Sequence, residues 1–261
     1  MQIATWNVNS IRARLPRVLE WLERRKPDVV CLQEIKCVQA QFPREAIEEL
    51  GYSVEIHGQK TYNGVAVLSR SPMCDVLRGF PGEAEGSEAR VIGVSVGSVM
   101  VLNLYVVNGQ EVGSPKYEFK LDWLARLKEF IDESYPSQAG RLAQKLVITG
   151  DFNITFDDRD IHDPEAWRGK VLCSEPERDA LAEIMGLGLS DAFRKFDSEA
   201  GKYTWWDFRS RGFARGAGLR IDHFLMSDEA LAACSSVVVD IEARGGEKPS
   251  DHAPVIATIA E

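Results

Sequence analysis

The feature that most constrains this fold is a set of short apolar runs that stop abruptly at carboxylates or amides. Val29-Val30-Cys31-Leu32 ends in Gln33-Glu34, and Leu146-Val147-Ile148 leads into Gly150-Asp151-Phe152-Asn153. Runs of roughly four to eight residues suit strands buried on both faces rather than helices. Two further stops of this kind are Trp6-Asn7 and Ser250-Asp251-His252. Together they collect Asn7, Glu34, Asp151, Asn153, Asp251 and His252 at one edge of a core. Gathered carboxylates repel one another and lose hydration. A divalent cation is the usual reason to tolerate them, and oxygen ligands suit Mg²⁺ or Mn²⁺ rather than zinc.

The rest of the pattern predicts an α/β chain in which strands outnumber helices. Leu15, Val18, Leu19 and Leu22 recur at helical spacing over about residues 14 to 25, and Leu121, Leu124, Leu127, Phe130 and Ile131 mark a second long helix. Shorter helices are expected near Arg44 to Leu50 and Pro176 to Met185. Strands are expected at 2–7, 29–32, 53–56, 65–69, 91–96, 99–106, 145–149, 203–206, 220–226, 236–241 and 255–259. Many of these strands follow one another directly. That favours mixed sheets packed face to face with helices outside over a doubly wound parallel sheet.

With 261 residues and 44% hydrophobic content, the chain can build one large core, and no linker-like stretch divides it, so residues 1–261 read as a single domain. The first strand begins almost at Met1, which leaves no room for a leader peptide, and no apolar run approaches membrane-spanning length. The five cysteines form no C-x-x-C pair and read as small core residues of a cytoplasmic protein. A net charge of −9 argues against a polyanionic partner if taken alone. Its distribution argues otherwise. The stretch 209–220 carries Arg209, Arg211, Arg215 and Arg220 with no acid, and Lys60 precedes Asn63. Both lie beside carboxylate-bearing strand ends, where a rim contacting phosphates would be placed; Arg220, in the strand bearing Asp222, is the weakest member, with pairing to an internal acid as its alternative.

Nine blocks in order identify a family resemblance: 5–9, 32–36, 58–60, 63–66, 103–105, 150–154, 203–207, 218–222 and 248–254. In these the chain resembles the exonuclease III branch of the endonuclease–exonuclease–phosphatase superfamily. The resemblance implies a deoxyribonuclease-I-like four-layer α/β sandwich. It also implies metal-dependent phosphodiester hydrolysis on duplex DNA, at abasic sites or 3′ ends, by a monomer with no membrane association. Glu34 becomes the leading metal ligand, helped by Asn7 and Asp251. His252 is expected to be oriented by Asp222, and either Asp151 or His252 to act as the base. Asn153 would polarise the phosphate, and the Tyr105 phenol would donate to a phosphate or leaving oxygen. Asn108, Trp205, Leu219 and Ile221 become substrate contacts, the last three lining a recess for a flipped-out sugar or a 3′ nucleotide. Asp151 and Asn153, two apart, would share a face in extended backbone.

Two departures stand out. Tyr105-Val106-Val107-Asn108 has Val where many relatives have Pro, and Lys170-Val171-Leu172-Cys173-Ser174 is bulkier than in relatives that favour abasic sites. Bulk there would narrow the recess and favour 3′-end cleavage. Two other functions compete. A catalytically silent nucleic-acid-binding regulator on the same fold would lack Glu34 or the Asp251-His252 pair. A phosphoinositide or sphingolipid phosphodiesterase would lack the blocks around Lys60 and Trp205 to Arg220.

Overall fold

The apolar runs pair into two six-stranded sheets that face each other. The computed structural model describes residues 1–138, 141–142 and 144–260. In chain order the strands are β1 (Gln2–Asn7), β2 (Val29–Gln33), β3 (Ser53–His57), β4 (Val65–Ser69), β5 (Met73–Arg78), β6 (Val91–Val96), β7 (Val99–Tyr105), β8 (Ser137–Gln138), β9 (Arg141–Leu142), β10 (Lys145–Asp151), β11 (Leu189–Asp191), β12 (Asp222–Ser227), β13 (Cys234–Val239) and β14 (Val255–Ile259). The helices are α1 (Ile11–Arg25), α2 (Arg44–Glu48), α3 (Pro115–Ser134), α4 (Pro164–Trp167), α5 (Glu175–Met185), α6 (Ala192–Phe196) and α7 (Asp228–Ala233).

One sheet runs β13-β14-β1-β2-β4-β3 and the other β11-β12-β10-β7-β6-β5. Each contains one parallel pair, β1 with β2 and β7 with β10, among antiparallel neighbours. Parallel strands end on the same side. Asn7 is therefore level with Gln33 in one sheet, and Asp151 with Tyr105 in the other. This places four of the sequence motifs at one edge.

The strands are buried on both faces because helices cover the outside. Ile3, Cys31, Val67, Val101, Val147 and Phe224 fill the space between the sheets. Val18, Trp21 and Leu22 of α1 pack on Ala4, Trp6 and Leu32, and Leu124, Leu127 and Leu181 pack on Leu102, Leu104 and Ile148. The result is the four-layer sandwich. Below the motif-bearing edge the sheets are joined by polar contact. The Gln33 amide donates to Thr5 Oγ1 and to Asn103 Oδ1 (2.7 Å), and Asn103 donates to the Leu32 and Ala66 carbonyls.

Several boundaries differ from expectation for local reasons. Helix α1 starts at Ile11 because the Ser10 hydroxyl accepts the Ala13 amide, a cap that the apolar periodicity does not report. Residues 203–206 form no strand, only isolated bridges from Trp205 to Leu219 and His252. The strand expected from Arg220 begins at Asp222. Strand β5 went unread because an edge strand with one half-covered face carries little apolar signal. The five cysteines are free, and no helix among the described residues is long and apolar enough to cross a membrane.

Candidate active site

Two motifs leave their strands, and a third leads toward β14, through the same local device. A short polar side chain accepts the backbone amide two residues on: Asn7 from Asn9 (3.0 Å), Asp151 from Asn153 (2.9 Å), and Ser250 from His252 (3.2 Å). Asn153 has φ 51°, so it is not extended, and the shared face expected for Asp151 and Asn153 does not form. Glu34 also takes a left-handed φ of 50°, held by Ser10 N–H on its carbonyl at 2.7 Å. Non-glycine residues at such angles store strain and concentrate at functional sites. Gly150 is required by close approach. At φ 144° its Cβ would sit 1.9 Å from the Leu104 carbonyl oxygen. That pinch brings Asp151 level with Tyr105.

The side chains meet. The Asn7 amide nitrogen lies 2.8 Å from Asp151 Oδ2 and 3.2 Å from Glu34 Oε1. Tyr105 donates its hydroxyl to the same Glu34 oxygen at 2.7 Å, and Lys36 pairs with Oε2 at 2.7 Å. His252 Nδ1 is 2.9 Å from Asp222 Oδ2, and its Nε2 is 3.7 Å from Asp151 Oδ2. Asp251 accepts from the Asn9 amide and the Trp205 indole, at 3.0 and 3.1 Å. The Ser250 hydroxyl ties this last segment to the Asn7 carbonyl at 2.6 Å.

The electrostatics follow from burial and crowding. Burial pushes the Asp151 carboxyl up to about 7, with Asp222 adding to the effect and His252 opposing it. Burial alone would lower the His252 imidazole, but Asp222 and Asp151 outweigh it and lift the pKa to about 10. Burial also works to raise Glu34, yet Lys36 and the Tyr105 hydroxyl hold it below the usual carboxylate value. Burial, then the charges of Glu34 and Asp151, keep the Tyr105 phenol protonated well past its ordinary range.

Asp151, Asp222 and His252 present ligand atoms within 4.8 Å of one another, a cluster able to hold a metal ion. His252 Nδ1 already faces Asp222, so these three also read as an oriented acid–base unit. Glu34 offers the more accessible oxygen donor. Asn7 turns its nitrogen toward two carboxylates and its oxygen toward the Asn9 amide, so it bridges acids more readily than it offers a ligand.

A model of the Endonuclease/Exonuclease/phosphatase family matches residues 4–252. The chain belongs to this family. Exodeoxyribonuclease III of Haemophilus influenzae is 35% identical over 98% of this chain and 99% of that protein. Among solved structures, the Neisseria 3′ phosphatase NExo bound to a product DNA hairpin is 44% identical, with TM-score 0.94 and full coverage of both chains. An AP endonuclease from Archaeoglobus fulgidus is 35% identical, with TM-score 0.93 and full coverage of both.

Within this family member the remaining predicted residues divide. Asn108 is exposed and donates to Asn153 Oδ1 at 2.9 Å, which joins it to the site. The Lys60 loop reaches Glu34 through backbone, because the Ile35 and Lys36 amides donate to Gly64 and Asn63. Arg209, Arg211 and Arg215 are exposed on the loop that follows Trp205 and Trp206, and the Trp206 amide donates to the Asp251 carbonyl. Arg220 takes its internal alternative: it is 1% exposed and forked between Asp160 and Asp191, so it does not belong to a surface rim. Leu219 and Ile221 are 0% and 1% exposed and pack with Ile161, Leu172 and Cys173. They line no open recess here; only Trp205 keeps a partly exposed face. The sequence reading also missed Lys36 and Asn9, which pair with each other at 2.7 Å while contacting Glu34 and Asp251. Both lie within two residues of a motif residue, and that adjacency was the available signal.

Proposed function

We propose that this chain is a DNA-repair nuclease that hydrolyses phosphodiester bonds of duplex DNA as a monomer, using Mg²⁺ or Mn²⁺. One observation carries the reading. Glu34, Asp151, Asp222 and Asp251 converge on His252 and Lys36, so buried acid exceeds base at a face whose rim carries exposed arginines. Such an excess fits an oxygen-ligated divalent cation, with Glu34 as the principal donor and Asp251 nearby. When bound, the cation neutralises charge at the scissile phosphate and leaving oxygen.

The chain's own groups supply the rest. Asp222 orients His252, whose imidazolium faces the phosphate as a fixed positive charge. Asp151, with its pKa near 7, accepts a proton from the attacking water. Tyr105 stays protonated and donates to an anionic oxygen. Asn153 is positioned by Val106 and Asn108 to polarise the phosphate.

The balance of activities favours 3′ ends over abasic sites. Leu172, held at φ 74°, fills the space beside Leu219 and Ile221 that a flipped-out sugar would enter. The likeness to a Neisseria 3′ phosphatase supports the same preference. The silent-regulator alternative gains nothing, because Glu34 and the Asp251-His252 pair are both present and assembled.

The test incubates purified protein and Mg²⁺ with two labelled duplexes, one with a recessed 3′ end and one with an abasic site. Cleavage of the first is expected to exceed that of the second. Glu34→Ala is expected to lose about a thousandfold in rate, about 4 kcal/mol, with its fold intact. Near-parent turnover by Glu34→Ala, or full activity in EDTA, would refute the metal role.

A further inference from the structure

Behind the site lies a buried ion pair that the chemistry above does not use. Lys120 of α3 and Glu177 of α5 are both 0% exposed and in direct contact. The ordinary reading is a cross-link between two helices, alongside Tyr117–Ser174 at 2.6 Å. The hydrogen-bond pattern says more. Lys120 has three donors, and only one goes to Glu177. The others go to the Asn153 carbonyl at 2.7 Å and the Asn108 carbonyl at 3.2 Å. Glu177 in turn accepts the Leu172 and Ser174 amides, both at 3.1 Å.

Three loops therefore hang on this one contact. One follows β7 and carries Asn108; one follows β10 and carries Asn153; the third carries Leu172 against Leu219 and Ile221. Asn153 and Leu172 both hold positive φ, conformations that persist only where surroundings over-determine them. The packing is tight enough that a Cβ at Gly109, itself at φ 93°, would lie 3.1 Å from Lys120 Cδ. A buried ion pair seldom adds stability over apolar residues of similar size, so stability alone does not account for its use here.

The geometry points to Lys120 and Glu177 as a positioning pair that sets the spacing between the reacting end of the site, at Asn108 and Asn153, and the apolar cluster that Leu172 forms with Leu219 and Ile221. This rests on the nuclease reading above. Errors of about 1 Å in such spacing can lower turnover a hundredfold without loss of binding.

Lys120→Met tests it. Met matches Lys in length and removes all three donors, while Glu177 keeps the Leu172 and Ser174 amides and the Ser174 hydroxyl. On a recessed 3′ end, kcat is expected to fall about tenfold to a hundredfold, with KM and the duplex dissociation constant near the parent's. Lys120→Arg keeps the charge but cannot place its planar fork on all three acceptors, so an intermediate kcat is expected. If Lys120→Met does not fold, Lys120→Arg carries the test by the same split of kcat from KM. Parent-like kcat in the variants, or a loss that disappears on cooling well below the melting temperature, would overturn the pair's role. An active parent with unaffected variants rejects the pair alone; an inert parent rejects the nuclease reading and this inference together.

Discussion

Two charged nests flank the start of β12, and they are built on opposite terms. On one side Asp160 and Asp191 meet the guanidinium groups of Arg220 and Arg194, with Arg220 forked to both acids. On the other, two residues along the chain, Asp222 joins Asp151, Glu34 and Asp251 around His252 and Lys36. Each nest has a buried centre, Asp160 with Arg220 in one and Asp151, Asp222 and His252 in the other. In the first, burial works to raise Asp160, but Arg220 and its neighbours hold it below the ordinary carboxylate value. In the second, burial lifts Asp151 to about 7. Burial of charge therefore does not by itself mark a functional site. The imbalance does, because a balanced nest is satisfied within the fold and an acid-rich one is completed from outside.

Removing one side of the balanced nest gives the largest expected effect on stability. Arg220→Met leaves Asp191 without its guanidinium and Asp160 with Arg194 alone, and should lower unfolding free energy by about 3 kcal/mol, measured by denaturant titration. Turnover per folded molecule should change little. In the acid-rich nest, Asp151→Asn should leave the melting temperature unchanged or higher, because it thins a crowd of like charges, while turnover collapses and duplex binding survives. If both substitutions destabilised the protein alike, the contrast between the nests would fail.

A pH profile sharpens it at smaller scale. A carboxyl with a raised pKa ionises only above it, so a base at Asp151 makes the rate fall about tenfold per unit below about pH 7. Raising the divalent-ion concentration favours the ionised carboxylates and should move the inflection to lower pH. Asp151→Asn should be slow and flat across the same range. A parent profile that is flat from pH 5 to 8 would remove Asp151 as base.

The smallest effect concerns the rim. Arg211→Ala with Arg215→Ala should flatten the plot of log affinity against log salt by about 0.9 for each phosphate no longer neutralised, without altering base preference. An unchanged slope would make this loop ordinary solvated surface. Arg220, inside the balanced nest, should contribute nothing to the slope.

What the sequence showed clearly, it showed through strands buried on both sides. Val29 to Leu32 and Leu146 to Ile148 are apolar because two sheets and two helix layers leave them no solvent face, and each ends in a residue of the site. His252 stood out in its own motif, but Asp222 and its pairing with His252 were legible only through the family resemblance, since 30 residues separate them and no local pattern relates them. Arg220 was ambiguous, because an arginine in a run of arginines looks the same whether it faces water or two buried aspartates, and only its place beside Asp222 hinted at the latter. Asn153 misled because alternation assumes extended backbone, and a turn begins where the strand stops. Lys120 left no signal, because a lysine on a long helix is solvated by default and its acceptors are main-chain carbonyls that no sequence pattern displays.

The hydroxyl of Ser250 on the carbonyl of Asn7 spans 243 positions of chain. Just after Ser250 in the chain, β14 inserts beside β1. A ribosome delivers the amino end first, so the first sheet waits with β1 unpaired on one side until residues 255–259 emerge. The imidazole of His252 arrives only just before that. A nascent or prematurely terminated chain thus carries Glu34 and Asp151 but not the histidine. On the role proposed for His252, cleavage competence comes with closure of the sheet, and a truncated product is disarmed by the order of its own synthesis.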